Sequence, residues 1–126
     1  MRFRAVLDKS AIAAYAAGSE HVGEVLREIA DEGVEVGLPV AALIEARIAS
    51  RDADAAQLGL LAALPYTTVL PLDADGWPRT AAATQLLGSL GRACAALLVA
   101  AGQAGYVMTC EPDVYGEGIE TIPIVR

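Results

Sequence analysis

AVLDKSA (residues 5–11) decides how the chain is read. A short apolar run, FRAVL (3–7), stops at Asp8, and the helix-forming stretch AIAAYAA (11–17) follows almost at once. A strand that gives way directly to a helix is the first half of a crossover unit. Ser10 is expected to cap that helix and Gly18 to end it. Asp8 alone reads as a turn or cap residue or as a metal ligand; with Ser10 in the capping role, it is left as a bare carboxylate at the carboxyl end of a strand.

The alternation continues along the chain. Ser19 can cap EHVGEVLREIADE (20–32), where Val22, Val25, Leu26 and Ile29 keep helical spacing and Gly33 stops the run. VEVGL (34–38) is a second strand, and Pro39 suits the first turn of VAALIEARIAS (40–50). A fourth helix is expected from about Asp52 to Leu64. TTVLPL (67–72) is the third strand, and Asp73 is expected to cap a helix running to Leu87. Gly88 and Gly91 bracket a break before an apolar helix over 92–101. GYVMT (105–109) is the fourth strand, and TIPIV (121–125) is a fifth in which Pro123 implies a sheet edge.

Strands separated by helices require right-handed crossovers and a largely parallel sheet covered on both faces. The expected fold is therefore α/β: a single domain over residues 1–126, built as a three-layer α/β/α sandwich on a four- or five-stranded sheet. Its length suits one domain. Such sheets bind ligands beyond the carboxyl ends of their strands. Asp8 follows the first strand, Glu45 lies on the helix after the second, and Glu111 and Asp113 follow the fourth. Gathered carboxylates repel one another unless a cation is close. A bound metal or Arg92 is the expected counter-charge.

Acidic residues outnumber basic ones 16 to 9, for a net charge of −7. That disfavours general affinity for nucleic-acid backbone and leaves room for a local basic patch or a metal-bridged contact. Two cysteines and one histidine are too few for a zinc site, so Cys94 and Cys110 are expected as free thiols in the cytoplasm. No signal peptide is expected, because Arg2, Arg4 and Asp8 interrupt the N-terminus. LGRACAALLVAAG (90–102) is too short and too interrupted to cross a membrane, so a core helix or a homodimer contact is expected. His21 is expected to face solvent and Trp77 to pack locally; Tyr106 and Tyr115 flank the last motif and are placed to line a cleft, with core packing the default.

VLDKSA (6–11), LPVAALIEA (38–46), YVMTCEPDVY (106–115) and the closing IPIV (122–125), in this order, resemble the PIN-domain family, which includes the VapC-like toxins. The resemblance implies a small ribonuclease whose carboxylates hold Mg²⁺ or Mn²⁺. The metal activates a water to cleave RNA. An antitoxin or other regulator protein is the implied partner. Asp8 then matches the first acid, Glu45 the second, and Glu111 the last, in place of the more usual aspartate. Ser10 matches the hydroxyl residue that supports the site. One position departs: the aspartate expected before the fourth strand falls on Ala93, beside Arg92, and GRACAA contains no acid. Asp113 is the available substitute. Two functions follow: a metal-dependent, toxin-like ribonuclease with Asp8, Glu45 and Glu111 as its ligands, or a PIN-fold binding or regulatory module without cleavage. A phospho-receiver shares the layout, but it needs a lysine late in the chain, and the only lysine is Lys9.

Overall fold

The strand that opens the chain becomes the centre of the sheet. In the computed structural model, which describes residues 1–126, β1 (Phe3–Leu7) pairs with β2 (Glu35–Pro39) on one side and β4 (Ala104–Thr109) on the other. β3 (Thr67–Leu70) adds outside β2, and β5 (Thr121–Pro123) outside β4. All four pairings are parallel, and the order is β3-β2-β1-β4-β5. Pro123 sits on an edge strand, where its missing N–H leaves no ladder bond unmade. Six helices carry the crossovers: α1 (Lys9–Ala16), α2 (Glu20–Asp31), α3 (Val40–Ala49), α4 (Ala55–Ala62), α5 (Trp77–Leu87) and α6 (Leu90–Ala100). The three-layer α/β/α expectation holds, with five strands.

Each face of the sheet has its own core. Ala5 and Leu7 pack with Ile12, Leu26, Leu38, Leu61 and Met108 on one side. Phe3 and Val6 pack with Ala95, Ala96, Val107 and Tyr115 on the other. Strict alternation would put Phe3 with Ala5. The pairing register shifts between Phe3 and Ala5, which brings Phe3 round to the Val6 face.

α6 reaches its place through small residues. Gly91, Ala93, Ala95 and Ala96 are its buried positions. A Cβ on Gly91 would lie 3.0 Å from the Cα and 3.2 Å from the Cβ of Ala42 on α3. The glycine is what lets the two helices pass so closely.

Several local expectations shift. The segment from Asp52 opens as a short 3-10 turn over Asp52–Asp54 before α4, tied back by an Arg47–Asp52 ion pair at 3.1 Å. Asp73 does not cap α5; its Oδ1 accepts from the Asp75 N–H at 3.2 Å in a turn, and Gly76 takes the cap position. Ser89 caps α6, accepting from the Arg92 N–H at 3.0 Å, so that helix starts earlier than the sequence predicts. α5 has no buried residue, and its Trp77 is 69% exposed. Trp77 is thus mostly in solvent: α5 leans on α6 and meets the sheet core only through half-buried Leu87 at its last turn. His21 is half-buried, accepting from the Val125 N–H at 2.9 Å. Both cysteines are free. No single helix is long and apolar enough to cross a membrane.

Candidate functional site

Asp8 follows the last residue of β1, where the Asp8 N–H still donates to Met108 O of β4 at 3.2 Å. Its own extended backbone then turns the chain into α1, and its side chain caps that helix: Oδ1 accepts from the Ala11 N–H at 3.1 Å. This corrects the expectation that Ser10 caps and leaves Asp8 free. Sheet pairing holds Asp8 extended, which is the conformation an N-cap requires, whereas Ser10 already lies within the first turn.

Ser10 supports the site in a different way. Its hydroxyl donates to Asp8 Oδ1 at 2.6 Å, lies 3.2 Å from Thr109 Oγ1, and accepts from the Cys110 N–H at 2.9 Å. Thr109 Oγ1 in turn accepts from the Glu111 N–H at 2.9 Å. These bonds lock the ends of β1 and β4 together.

The other carboxylate oxygen, Oδ2, accepts from the Tyr115 hydroxyl at 2.7 Å. Asp8 is 1% exposed, so both its oxygens are satisfied by protein donors and closed to water. Burial pushes the Tyr115 phenol far above its ordinary value, and the charge and hydrogen bond of Asp8 push it further. Tyr115 therefore remains a donor throughout the working pH range.

Glu111 sits half-exposed at the same edge, within electrostatic reach of the Tyr115 hydroxyl. Arg92 Nη2 meets its Oε2 at 3.1 Å, and Arg126 approaches Oε1 at 3.9 Å. Arg92 is itself anchored, with Nη1 donating to Leu87 O at 2.9 Å. The counter-charge expected of Arg92 is thus directed at Glu111. Glu45 is drawn elsewhere: its Oε1 accepts from the Gly91 N–H at 3.0 Å, at the positive end of α6. Asp113 is exposed in the 3-10 turn Pro112–Tyr115 and forms no ion pair.

Beside this centre lies an open cleft of about 1090 Å³, with Lys9, His21, Arg92, Glu111 and Arg126 in its walls. Cationic and acidic side chains are mixed there, and Glu20 and Glu24 of α2 face it as well.

The expected metal ligands do not form one constellation. No group of three or more Asp, Glu, His or Cys side chains is arranged to hold a metal ion. Asp8 is turned to Ser10, Ala11 and Tyr115; Glu45 to α6; and Glu111 to two arginines. A hard divalent cation needs carboxylate oxygens free to face it. The donor set as folded does not fit Mg²⁺ or Mn²⁺.

Tyr115 and Arg126 are the two members of this centre that sequence reading misses. Tyr115 does pack in the core, as its place in YVMTCEPDVY implies, and what sequence does not signal is its hydroxyl bond to Asp8. Arg126 carries no local signal.

The strand order, the crossovers and the acid-bearing edge settle the architecture. The fold is PIN-like. It superposes on VapC20 of Mycobacterium tuberculosis, described as a sarcin-ricin loop cleaving toxin, with a TM-score of 0.65. The match covers 94% of this chain and 98% of that one at 18% identity, so the likeness is one of fold. No family model and no curated protein sequence matches the chain.

Proposed function

We propose that this chain is a PIN-fold binding module of toxin–antitoxin type, in which arginine takes the place of the divalent cation and RNA is not cut. The observation that carries the reading is the Arg92–Glu111 contact at 3.1 Å, beside an Asp8 whose oxygens are both taken by protein donors. Positive charge fixed at the last acid satisfies what a metal would satisfy and repels a metal that approaches.

The partner under this reading is a regulator protein. The net charge of −7 argues against a nucleic-acid surface. Ile44 and Ile48 lie one turn apart on α3, 53% and 79% exposed, and Leu86 on α5 is 85% exposed. Exposed aliphatic side chains of this size are a feature of protein contacts. A second copy of the chain could use the same face. Two free thiols fit a reducing, cytoplasmic setting.

A second reading is a Mg²⁺- or Mn²⁺-dependent endoribonuclease with Asp8, Glu45 and Glu111 as ligands. It is favoured by the match to 98% of the VapC20 chain. It requires Arg92 and Tyr115 to release their acids. Incubating structured and single-stranded RNAs with the protein and Mn²⁺ decides between the two. The binding-module reading predicts intact RNA. Cleavage that requires Mn²⁺ and is lost in Asp8→Asn would overturn it.

A further inference from the structure

A second cavity lies away from the acid centre, between α5, α6 and the carboxyl ends of β2 and β3. It encloses about 210 Å³. Leu70, Leu72, Leu97 and Leu98 give it apolar walls, Cys94 lies in the α6 wall, and Arg79 of α5 lines it as well.

Three features of this cavity belong together. First, the leucines of α6 that face it are only half-buried, because nothing fills the space above them. Second, α5 completes its three turns without burying one side chain. Third, Arg79 takes part in none of the five ion pairs of the molecule and in no side-chain hydrogen bond. Asp73 lines the same cavity and its carboxylate lies near the guanidinium, but its Oδ1 accepts from the Asp75 N–H and it makes no ion pair with Arg79, whose N–H donors remain free.

We propose that this cavity is a binding site for a small apolar carboxylate, with its hydrocarbon body against Leu97 and Leu98 and its carboxylate on Arg79. An apolar cavity of about 150 Å³ accepts benzene. The volume of about 210 Å³ therefore has room for a benzene-sized body and a short acid arm. A guanidinium presents two parallel N–H donors, the geometry that a carboxylate accepts. The ligand supplies the burial that α5 lacks and so ties the helix to the sheet. The site is independent of the acid centre, and it stands whether or not the chain cuts RNA.

The test is a titration of the ¹⁵N-labelled full chain with phenylacetate, read by amide shifts. Saturable shifts are expected at Thr80, Cys94, Leu97 and Leu98. Arg79→Gln, an exposed substitution that leaves the core untouched, is expected to weaken binding at least about fivefold. Phenylacetamide, which has the same body without the charge, is expected to weaken it by a similar factor. Absence of shifts at those four amides would overturn the proposal. So would equal binding of acid and amide, or a full-strength response in Arg79→Gln.

Discussion

Replacing Tyr115 with phenylalanine removes one hydroxyl and leaves the ring in place. The ring packs among Phe3, Val6 and Val107, so the hydrophobic contribution is unchanged. What disappears is the 2.7 Å bond to Asp8 Oδ2, on a carboxylate that is 1% exposed. A hydrogen bond to a charged group is worth about 1.5–3 kcal/mol, and water cannot replace this one. Tyr115→Phe is therefore expected to lose about 2 kcal/mol in urea unfolding followed by circular dichroism at neutral pH. In a chain of this size that lowers Tm by roughly 6–10 °C. The effect has a pH signature. The folded state holds the Tyr115 proton more tightly than the unfolded state does, so its contribution is complete below about 10, the unfolded value, and falls as pH rises further. The gap between wild type and Tyr115→Phe should narrow above that pH. A loss under about 0.5 kcal/mol, smaller than an ordinary net hydrogen bond, would mean that Asp8 is not closed by Tyr115 in solution.

Gly91→Ala would gain about 1 kcal/mol from helix propensity alone. The new Cβ would instead press on Ala42 at 3.0 Å and crowd the Glu45 carboxylate, so a net loss of about 1–3 kcal/mol is expected by thermal melting. Arg92→Gln removes a pair whose side chains are 25% and 42% exposed, so solvent screening limits the loss to under about 1 kcal/mol, and adding salt should shrink it. Ser10→Ala removes the hydroxyl that joins Asp8, Thr109 and the Cys110 N–H. It should cost about 1–3 kcal/mol in urea unfolding, with a Tm loss larger than that of Arg92→Gln.

Much of the fold was legible because its signals are local. Each of the five strands lies in a short run of apolar and β-branched residues, and Pro123 marked the sheet edge from sequence alone. The site was legible in position and illegible in detail. Asp8 and Ser10 are both competent caps, and the choice between them is made by β1 pairing with β4, a contact 100 residues away along the chain. Tyr115 bonds Asp8 across a separation of 107 residues. Arg126 reaches Glu111 only because Ser19 and His21 hold the Val125 backbone along α2. Glu45 fell on the expected helix, but its partner is the backbone of α6, exposed at Gly91 by the absence of a side chain. The exposure of α5 was hidden for the same reason, since an alanine-rich helix looks alike whether or not another layer covers it.

The central claim is that arginine and tyrosine, in place of a divalent cation, satisfy the acids at the carboxyl edge of this PIN-like sheet. A thermal melt of wild type and Asp8→Asn across a Mn²⁺ titration tests it most directly. A site with free ligand at 100 times its dissociation constant would stabilise the folded state by about 2.7 kcal/mol, a Tm rise of roughly 8–13 °C. The arrangement described here predicts no saturable rise in either protein. A saturable rise in wild type that vanishes in Asp8→Asn would contradict it.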